Sequence, residues 1–334
     1  EGNPKIQAGL KALSSRLREL TDRLETASVR TKGLESCFNR SQELENSLNI
    51  LLDDHSGKWI RWYETHKKTF TMTRTPLDIA GEFQSFMQQN GATWIFTSAT
   101  LSVAHQFEHF SRNLGVTDSD SQSWESPFDF NSQSLFYHPR GVAQPAAPDF
   151  VQSVVDFAVP VLNASRGRAF FLFTSHRALK EAARLLEDRI EYPLLVQGSG
   201  PKGLLLEKFK QAGNAVLLGT SSFWEGVDVR GDALSCVIID KLPFAAPGDP
   251  VLKARLKAME QQGVNPFMAY QIPAAVISLR QGIGRLIRDV NDRGVLMICD
   301  PRLLKRSYGR IFLDSVPPMK RTRDIEEVRA FFQT

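Results

Sequence analysis

Cysteine is scarce: Cys37, Cys236 and Cys299 are the only three in 334 residues, far apart and without C-x-x-C spacing. That count excludes a disulfide framework and a four-cysteine zinc or iron–sulfur site within the chain. Cys236 and Cys299 fall inside apolar runs and read as small core residues. No apolar run reaches the ~18 residues of a membrane span, and no secretory signal opens the sequence. A reducing cytoplasm is the expected home. Neither sign of charge dominates, with 41 Lys and Arg against 37 Asp and Glu, net +4. Such a balance permits a nucleic-acid partner without arguing for one. Missing as well are a G-x-x-x-x-G-K-[S/T] loop and a D-E-x-H box after a strand, so the chain carries no phosphate cradle of that kind. What is present, 42% hydrophobic and 23% charged residues, fits a globular protein of about two domains. The chain opens on Glu1 rather than Met, so a fragment or a processed chain is expected.

Leu10, Leu13, Leu17, Leu20 and Leu24, then Leu34, Phe38, Leu44, Leu48 and Leu51, recur at helical spacing and predict an antiparallel helical hairpin. Leu48 to His55 imitates a metal-binding acidic strand end. Its leucines continue the helical period, and Asp54 stands where a catalytic Glu is wanted, so it reads as a helix end. Two aromatic- and Thr-rich stretches, Trp59–Glu64 and Phe70–Arg74, predict strands, and Pro76 stops the second. A helix over 78–89 follows, with Ile79, Phe83, Phe86 and Met87 inward. A short buried strand over 93–97 then delivers Ser98-Ala99-Thr100, a helix covers 101–114, and 117–131 is a loop. The segment 141–148, with two prolines and small residues, reads as a linker. Beyond it, a helix over 150–162 precedes alternating strands (168–173, 193–196, 215–218, 235–240, 294–299) and helices (177–189, 204–211). Continuous apolar strands alternating with amphipathic helices predict an α/β fold with a parallel sheet covered on both faces.

The chemistry concentrates at the ends of those runs, where open α/β sheets place ligands. The densest stretch is Gln281-Gly282-Ile283-Gly284-Arg285-Leu286-Ile287-Arg288. It sets two arginines three apart, one helical turn from each other, after glycines that let backbone approach a ligand. Arginine forks pair with phosphate oxygens and stay charged when desolvated. Alone, such a pair is a solvated helix turn. It is preceded by Gly219-Thr220-Ser221-Ser222-Phe223-Trp224-Glu225-Gly226-Val227-Asp228, by Phe173-Thr174-Ser175 and by Ser98-Ala99-Thr100, each ending an apolar run. A G-x-G-x-x-G match at Gly198–Gly203 lacks an acid at the end of the next strand and contains Pro201, which argues against a dinucleotide site there.

In that order the four segments resemble motifs III to VI of superfamily 2 helicases, in the XPD-like branch and most closely its bacterial DinG/YoaA group. The resemblance runs from about Trp59 onward and includes Trp224–Asp232 and Ile238–Phe244. It implies a RecA-like helicase lobe with a parallel sheet, motor domain 2 (135–318). Before it would lie the carboxyl-terminal part of motor domain 1 (57–134) and an arch-like helical hairpin (1–56), with a basic tail and terminal helix after it (319–334). It further implies an ATP-dependent DNA helicase acting in repair or replication, with 5′→3′ movement on single-stranded DNA and an association with the nucleoid. The phosphate cradle, the Mg²⁺-binding acids and a [4Fe–4S] cluster would belong to a preceding portion.

By resemblance, Arg285 and Arg288 reach the γ-phosphate of ATP with Gln281 beside them and Gly284 giving close approach. Asp228 faces the nucleotide or its Mg²⁺, and Glu225 with Gly226 couples that site to the DNA channel, unless the two acids only cap a turn. Ser98 and Thr100 relay between the sites. Thr174, Ser175, Thr220 and Ser221 bond phosphates without reading sequence. Trp224 either stacks on a base or lies in the core, and Arg302 is either a phosphate contact or a salt-bridge partner. After Pro317-Pro318, Ile325, Val328, Phe331 and Phe332 form one helical face. It either packs on its own lobe or docks a partner, which the resemblance names as the chi subunit of the DNA polymerase III clamp loader. Two other readings stay open: a non-catalytic RecA-like scaffold, and an unrelated nucleotide-binding enzyme using Gly198–Gly203.

Overall fold

The computed structural model describes residues 4–52, 58–103, 106–224, 229 and 231–333. They form two compact units, Glu1–Ile79 with Pro247–Ala258, and Ala80–Ala246 with Met259–Thr334.

In the first unit α1 (Pro4–Ser28) and α2 (Lys32–Leu52) pair across a short turn. Ser14 Oγ donates to Asn49 Oδ1 at 3.1 Å although the two are 35 residues apart, as antiparallel alignment requires. The inward line is Leu10, Ser14, Leu17, Thr21 and Leu24, whereas Leu13 and Leu20 are 54% and 48% exposed. The leucine seam is therefore only half right. A two-helix contact takes one line of side chains, and the small buried hydroxyls Thr21 and Ser41 sit at its centre, each bonded back to its own helix. The strands expected next are β1 (Trp59–Thr65) and β2 (Phe70–Pro76), an antiparallel hairpin with the Arg74 guanidinium 4.3 Å from the Trp59 ring centre. From the distant segment 247–258, Arg255 Nε donates to the Leu77 carbonyl at 3.1 Å.

The second unit begins with α3 (Ala80–Gln89), α4 (Glu108–Leu114) and α5 (Phe130–Gln133). The sheet then opens: β3 (Ser134–Tyr137), α6 (Phe150–Ala164), β4 (Ala169–Leu172), α7 (His176–Leu186), β5 (Leu194–Val196), α8 (Lys202–Ala212), β6 (Val216–Gly219), α9 (Ser221–Trp224) and β7 (Cys236–Ile239). After α10 (Pro250–Gln261), most of which belongs to the first unit, come α11 (Ile272–Ile283), β8 (Gly294–Ile298), α12 (Arg302–Lys305), α13 (Gly309–Ser315), β9 (Lys320–Thr322) and α14 (Ile325–Gln333). The strand order is β5-β6-β4-β7-β8-β3-β9, and every paired neighbour is parallel. Strands β4 to β8 are apolar because both faces are covered. Phe170, Leu172, Leu217, Val237, Ile239, Leu296 and Ile298 meet α8, α11 and α13 on one side. Phe171, Val216, Leu218, Cys236, Ile238, Val295 and Met297 meet α6, α7 and α14 on the other. Gly167, between α6 and β4, has φ +72°, and a Cβ there would lie 1.9 Å from the Asn214 carbonyl oxygen, so only glycine fits.

Several expectations change. Residues 93–97 adopt no strand, and Ile95 is 82% exposed. A strand's hydrogen bonds lie in its neighbour, and no described strand runs beside this one. The helix expected over 101–114 is only α4. The basic stretch after Pro317-Pro318 is not a free tail, because Lys320–Thr322 forms the edge strand β9 beside β3. Strands of three or four residues such as β3 and β9 are too short to leave a periodic signal.

Candidate nucleotide and nucleic-acid site

The carboxyl ends of β4, β7 and β8 carry a buried polar network. β4 runs through Phe173 into Thr174 and Ser175. Ser175 Oγ accepts from Ala178 N–H at 3.2 Å and so caps α7. Thr174 donates from its N–H (3.1 Å) and Oγ (3.5 Å) to the carboxylate of Asp240, which also accepts from Lys241 N–H at 2.7 Å. Burial pushes the Asp240 carboxyl up to about 7, opposed by Lys241 and the N–H donors and reinforced by Asp300. Asp300, after β8, accepts from Leu242 N–H at 2.8 Å and holds Arg302 through Nε at 3.0 Å and Nη2 at 2.6 Å. The Arg302 guanidinium also lies 5.4 Å from the Phe244 ring centre. Of the two readings of Arg302 the salt bridge holds, and its fork is committed to a fully buried carboxylate.

β6 ends at Gly219, and Thr220 follows, buried. Its N–H and Oγ both donate to Gln197 Oε1, at 2.6 and 3.0 Å, and His176 Nε2 lies 3.5 Å from the hydroxyl. Ser221 is exposed at the start of α9. The Trp224 indole is 3% exposed within the core and has no face for a base, so its stacking role is withdrawn. Glu225, Gly226 and Asp228 lie outside the described residues.

α11 ends at Ile283, with Gly284 as its cap; Gly284 N–H donates to the Arg280 carbonyl at 2.8 Å. Gln281 is thus in the last helical turn, whereas Arg285 and Arg288 lie beyond it and do not share a helical face as expected. The chain tightens through Leu286 N–H to the Ile283 carbonyl, and the Asp292 carboxylate takes the N–H groups of Arg288 and Asp289 at 2.7 and 2.9 Å. This alternative partner for backbone donors ends the helix. Arg285 donates Nε (3.1 Å) and Nη2 (2.9 Å) to the Trp224 carbonyl. Gly282 packs on the same residue: a Cβ there would lie 2.9 Å from Trp224 Cε3. The two longest motifs therefore form one packed contact.

Sequence reasoning passed over Arg280. Its Nη1 and Nη2 donate to the carbonyls of Ser102 (2.7 Å) and Ala99 (3.0 Å), tying α11 to the Ser98–Thr100 turn; burial lowers its pKa. Within that turn Ser98 Oγ and Thr100 Oγ1 lie 3.3 Å apart, and Ser98 Oγ accepts from Thr100 N–H. The turn borders a hollow of about 1330 Å³ whose wall includes Trp94, Ser98 and Arg280. Asp240 and Gln197 were also passed over, although each is a polar residue closing an apolar run, the signal that singled out Thr174 and Thr220.

The terminal helix resolves an open choice. Val328 is fully buried in the core, with Ile325, Phe331 and Phe332 packed against it, and the Arg293 guanidinium lies 4.8 Å from the Phe331 ring centre. This face is used inside its own lobe, so the partner-docking role of the four residues is withdrawn. Cys236 and Cys299 are buried, and burial pushes the Cys236 thiol up to about 12; with Cys37 exposed and remote in sequence, they do not fit an iron–sulfur cluster. Among the described residues no three His, Cys, Asp or Glu side chains come together as a metal site. The groups suited to a nucleotide are the amide and two guanidinium groups of Gln281, Arg285 and Arg288, a donor set for phosphate oxygens rather than for Mg²⁺. No described helix is long and apolar enough to cross a membrane.

The profile of the helicase C-terminal domain family matches residues 158–319. The chain is 44% identical to the ATP-dependent DNA helicase YoaA of Escherichia coli over 329 residues, 98% of this chain and 52% of that protein. With YoaA of Haemophilus influenzae the identity is 42% over 328 residues, again 98% of this chain and 51% of the relative. A solved structure of apo XPD superposes with a TM-score of 0.62 at 16% identity, covering 89% of this chain and 60% of XPD. Over nearly its whole length the chain resembles the YoaA members of the DinG/YoaA helicase group. It spans about half the length of the relatives it matches. Its second unit has a RecA-like fold, and it carries Thr174–Ser175, Thr220–Trp224 and Gln281–Arg288.

Proposed function

We propose that this chain supplies the second motor lobe of an ATP-dependent DNA helicase, acting on nucleotide held by a portion of the protein outside it. Arg285 and Arg288, with Gln281, are assigned to the γ-phosphate of ATP, where guanidinium forks offset the charge developing during transfer. ATP would bring Mg²⁺, which neutralises phosphate charge; the described residues hold no cluster of acids for it. Thr174, Ser175, Thr220 and Ser221 are assigned to the backbone of single-stranded DNA. Ser98 and Thr100, in the turn held by Arg280, and Glu225 with Gly226 are assigned to coupling, and Asp228 to the nucleotide or its Mg²⁺. The family supports 5′→3′ movement and a place in repair or replication.

The observation that carries this reading is the paired contact on Trp224. Arg285 holds its carbonyl with two hydrogen bonds while Gly282 seats against its ring. A change in how phosphate engages Arg285 is thereby passed to the residue four positions after Thr220, without a flexible link.

In the full-length protein, Arg288→Ala is expected to lower the DNA-stimulated kcat for ATP hydrolysis by roughly 10³-fold. An unchanged kcat would make the stretch structural and sink the assignment. This chain alone is expected to release no phosphate from ATP above a buffer blank. It should bind single-stranded DNA weakly, losing affinity as salt rises.

A further inference from the structure

The turn after β5, Gln197 to Pro201, contains the glycine pattern that no nucleotide site used, and it adjoins Thr220. Thr220 has two donors, its N–H and its hydroxyl, and both converge on one atom, Gln197 Oε1, at 2.6 and 3.0 Å. The orientation of the amide follows from chemistry. A backbone N–H can only donate, so the atom facing it is the carbonyl oxygen, and the amide nitrogen then donates to Ser222 Oγ at 3.1 Å. One oxygen bound by a main-chain N–H and an adjacent hydroxyl is the arrangement such groups offer a phosphate oxygen.

The surroundings fit an anion better than a neutral amide. Lys202 Nζ bonds the Ser222 carbonyl and lies 5.4 Å from the Phe223 ring centre, and His176 Nε2 is 3.5 Å from the Thr220 hydroxyl. The Gln197 backbone is fixed, its N–H donating to the Leu218 carbonyl at 2.9 Å, so only the side chain need turn. The turn beside it is open: added Cβ atoms at Gly198 and Gly200 would meet nothing within 4 Å.

We infer that Gln197 is a placeholder, its amide oxygen occupying the position a DNA phosphate oxygen takes on Thr220 and giving way when the strand binds. This rests on the assignment of Thr220 to the DNA backbone. Its consequence is an exchange: the phosphate replaces hydrogen bonds already made, and the amide recloses when the strand moves on. Neither state leaves the buried donors of Thr220 unpaired, a condition that would otherwise carry a desolvation penalty. Binding is weaker than it would be at an empty pair of donors, and release is faster, which suits a contact made and broken at every step.

The test is fluorescence anisotropy of a labelled oligothymidylate with the full-length protein, in the absence of nucleotide. Gln197→Ala and Gln197→Met, the second retaining bulk without an acceptor, should bind DNA roughly threefold to tenfold more tightly, the competition having been removed. Gln197→Glu should bind at least about tenfold more weakly, since a carboxylate accepts more strongly and repels phosphate. Thr220→Val, which keeps the shape and removes the hydroxyl, should weaken binding. If Thr220→Val weakens binding while Gln197→Ala and Gln197→Met leave it unchanged or weaken it, Gln197 only braces the turn and the placeholder is wrong. If Thr220→Val binds as well as the parent, the phosphate assignment itself fails. Gln197→Met secures the test should Gln197→Ala prove unstable by thermal melting.

Discussion

Gly282→Ala is the sharpest perturbation of the contact between the two longest motifs. The new methyl would sit 2.9 Å from Trp224 Cε3 and 3.3 Å from both Trp224 Cζ3 and Leu172 Cδ1. Carbon atoms prefer about 3.5–4.0 Å, so α11 or the indole must shift by several tenths of an ångström. Neither has room, because Trp224 is 3% and Leu172 0% exposed. Overpacking of this kind costs about 1–3 kcal/mol. Against it stands a helix-propensity gain of at most about 1 kcal/mol for replacing glycine within a helix. The net expectation is a loss of up to about 2 kcal/mol. Gly203→Ala in α8 is the matched control, since a Cβ there meets nothing within 4 Å; it should be neutral or stabilising by a few tenths of a kcal/mol. Urea unfolding of both variants measures the difference. The same shift should lengthen the bonds from Arg285 to the Trp224 carbonyl, so DNA-stimulated ATP hydrolysis by full-length Gly282→Ala should fall further than its stability alone explains. Equal stabilisation by both substitutions, with unchanged hydrolysis, would refute the packing argument and the coupling drawn from it.

Asp240 gives a prediction in pH. Its folded pKa is raised from 3.8 to about 7, so the native state keeps a proton that the unfolded chain releases. Stability from this group is therefore fully present below about pH 4 and is lost as pH rises to about 7, by on the order of 4 kcal/mol at most. Asp240→Asn should flatten the fall in urea midpoint between pH 5 and 8; parallel profiles would count against a buried, protonated carboxyl. Val328→Asp puts an unpaired charge into the core and should cost about 3 kcal/mol or more, while Glu326→Ala at an exposed position of α14 costs little. An unmoved melting temperature for Val328→Asp would mean that the terminal helix is not docked. Arg280→Ala should speed proteolysis between residues 97 and 106, and Arg280→Lys should not restore protection, because two carbonyls need a fork. Full protection in the lysine variant would reduce Arg280 to a point charge.

The parallel strands β4 to β8 and the helices α6, α7 and α8 were legible because long apolar runs and 3.6-residue periodicity are local properties. The candidate turns at Thr174 and Thr220 were legible for a related reason: each is polar and closes an apolar run that forms a sheet strand. Strand 93–97 was misread on the same logic, since a run of strand-forming residues states a preference while hydrogen bonding requires a neighbour. Arg285 and Arg288 were placed on one helix because spacing carries no information about the Asp292 carboxylate that ends it.

By itself the sequence determined the alternation of strand and helix, the order of the polar turns and the group they resemble. Those follow from side-chain chemistry read along the chain. Tertiary structure alone decided which polar groups were already spent. Arg302 is held by Asp300, Trp224 is covered by Gly282, Thr220 is bound by Gln197 from the turn after β5, and the terminal helix lies on its own core. A donor, ring or apolar face looks the same in sequence whether it is available or engaged. Except for Asp300, these partners lie tens of residues away in sequence and come near only when the sheet has formed.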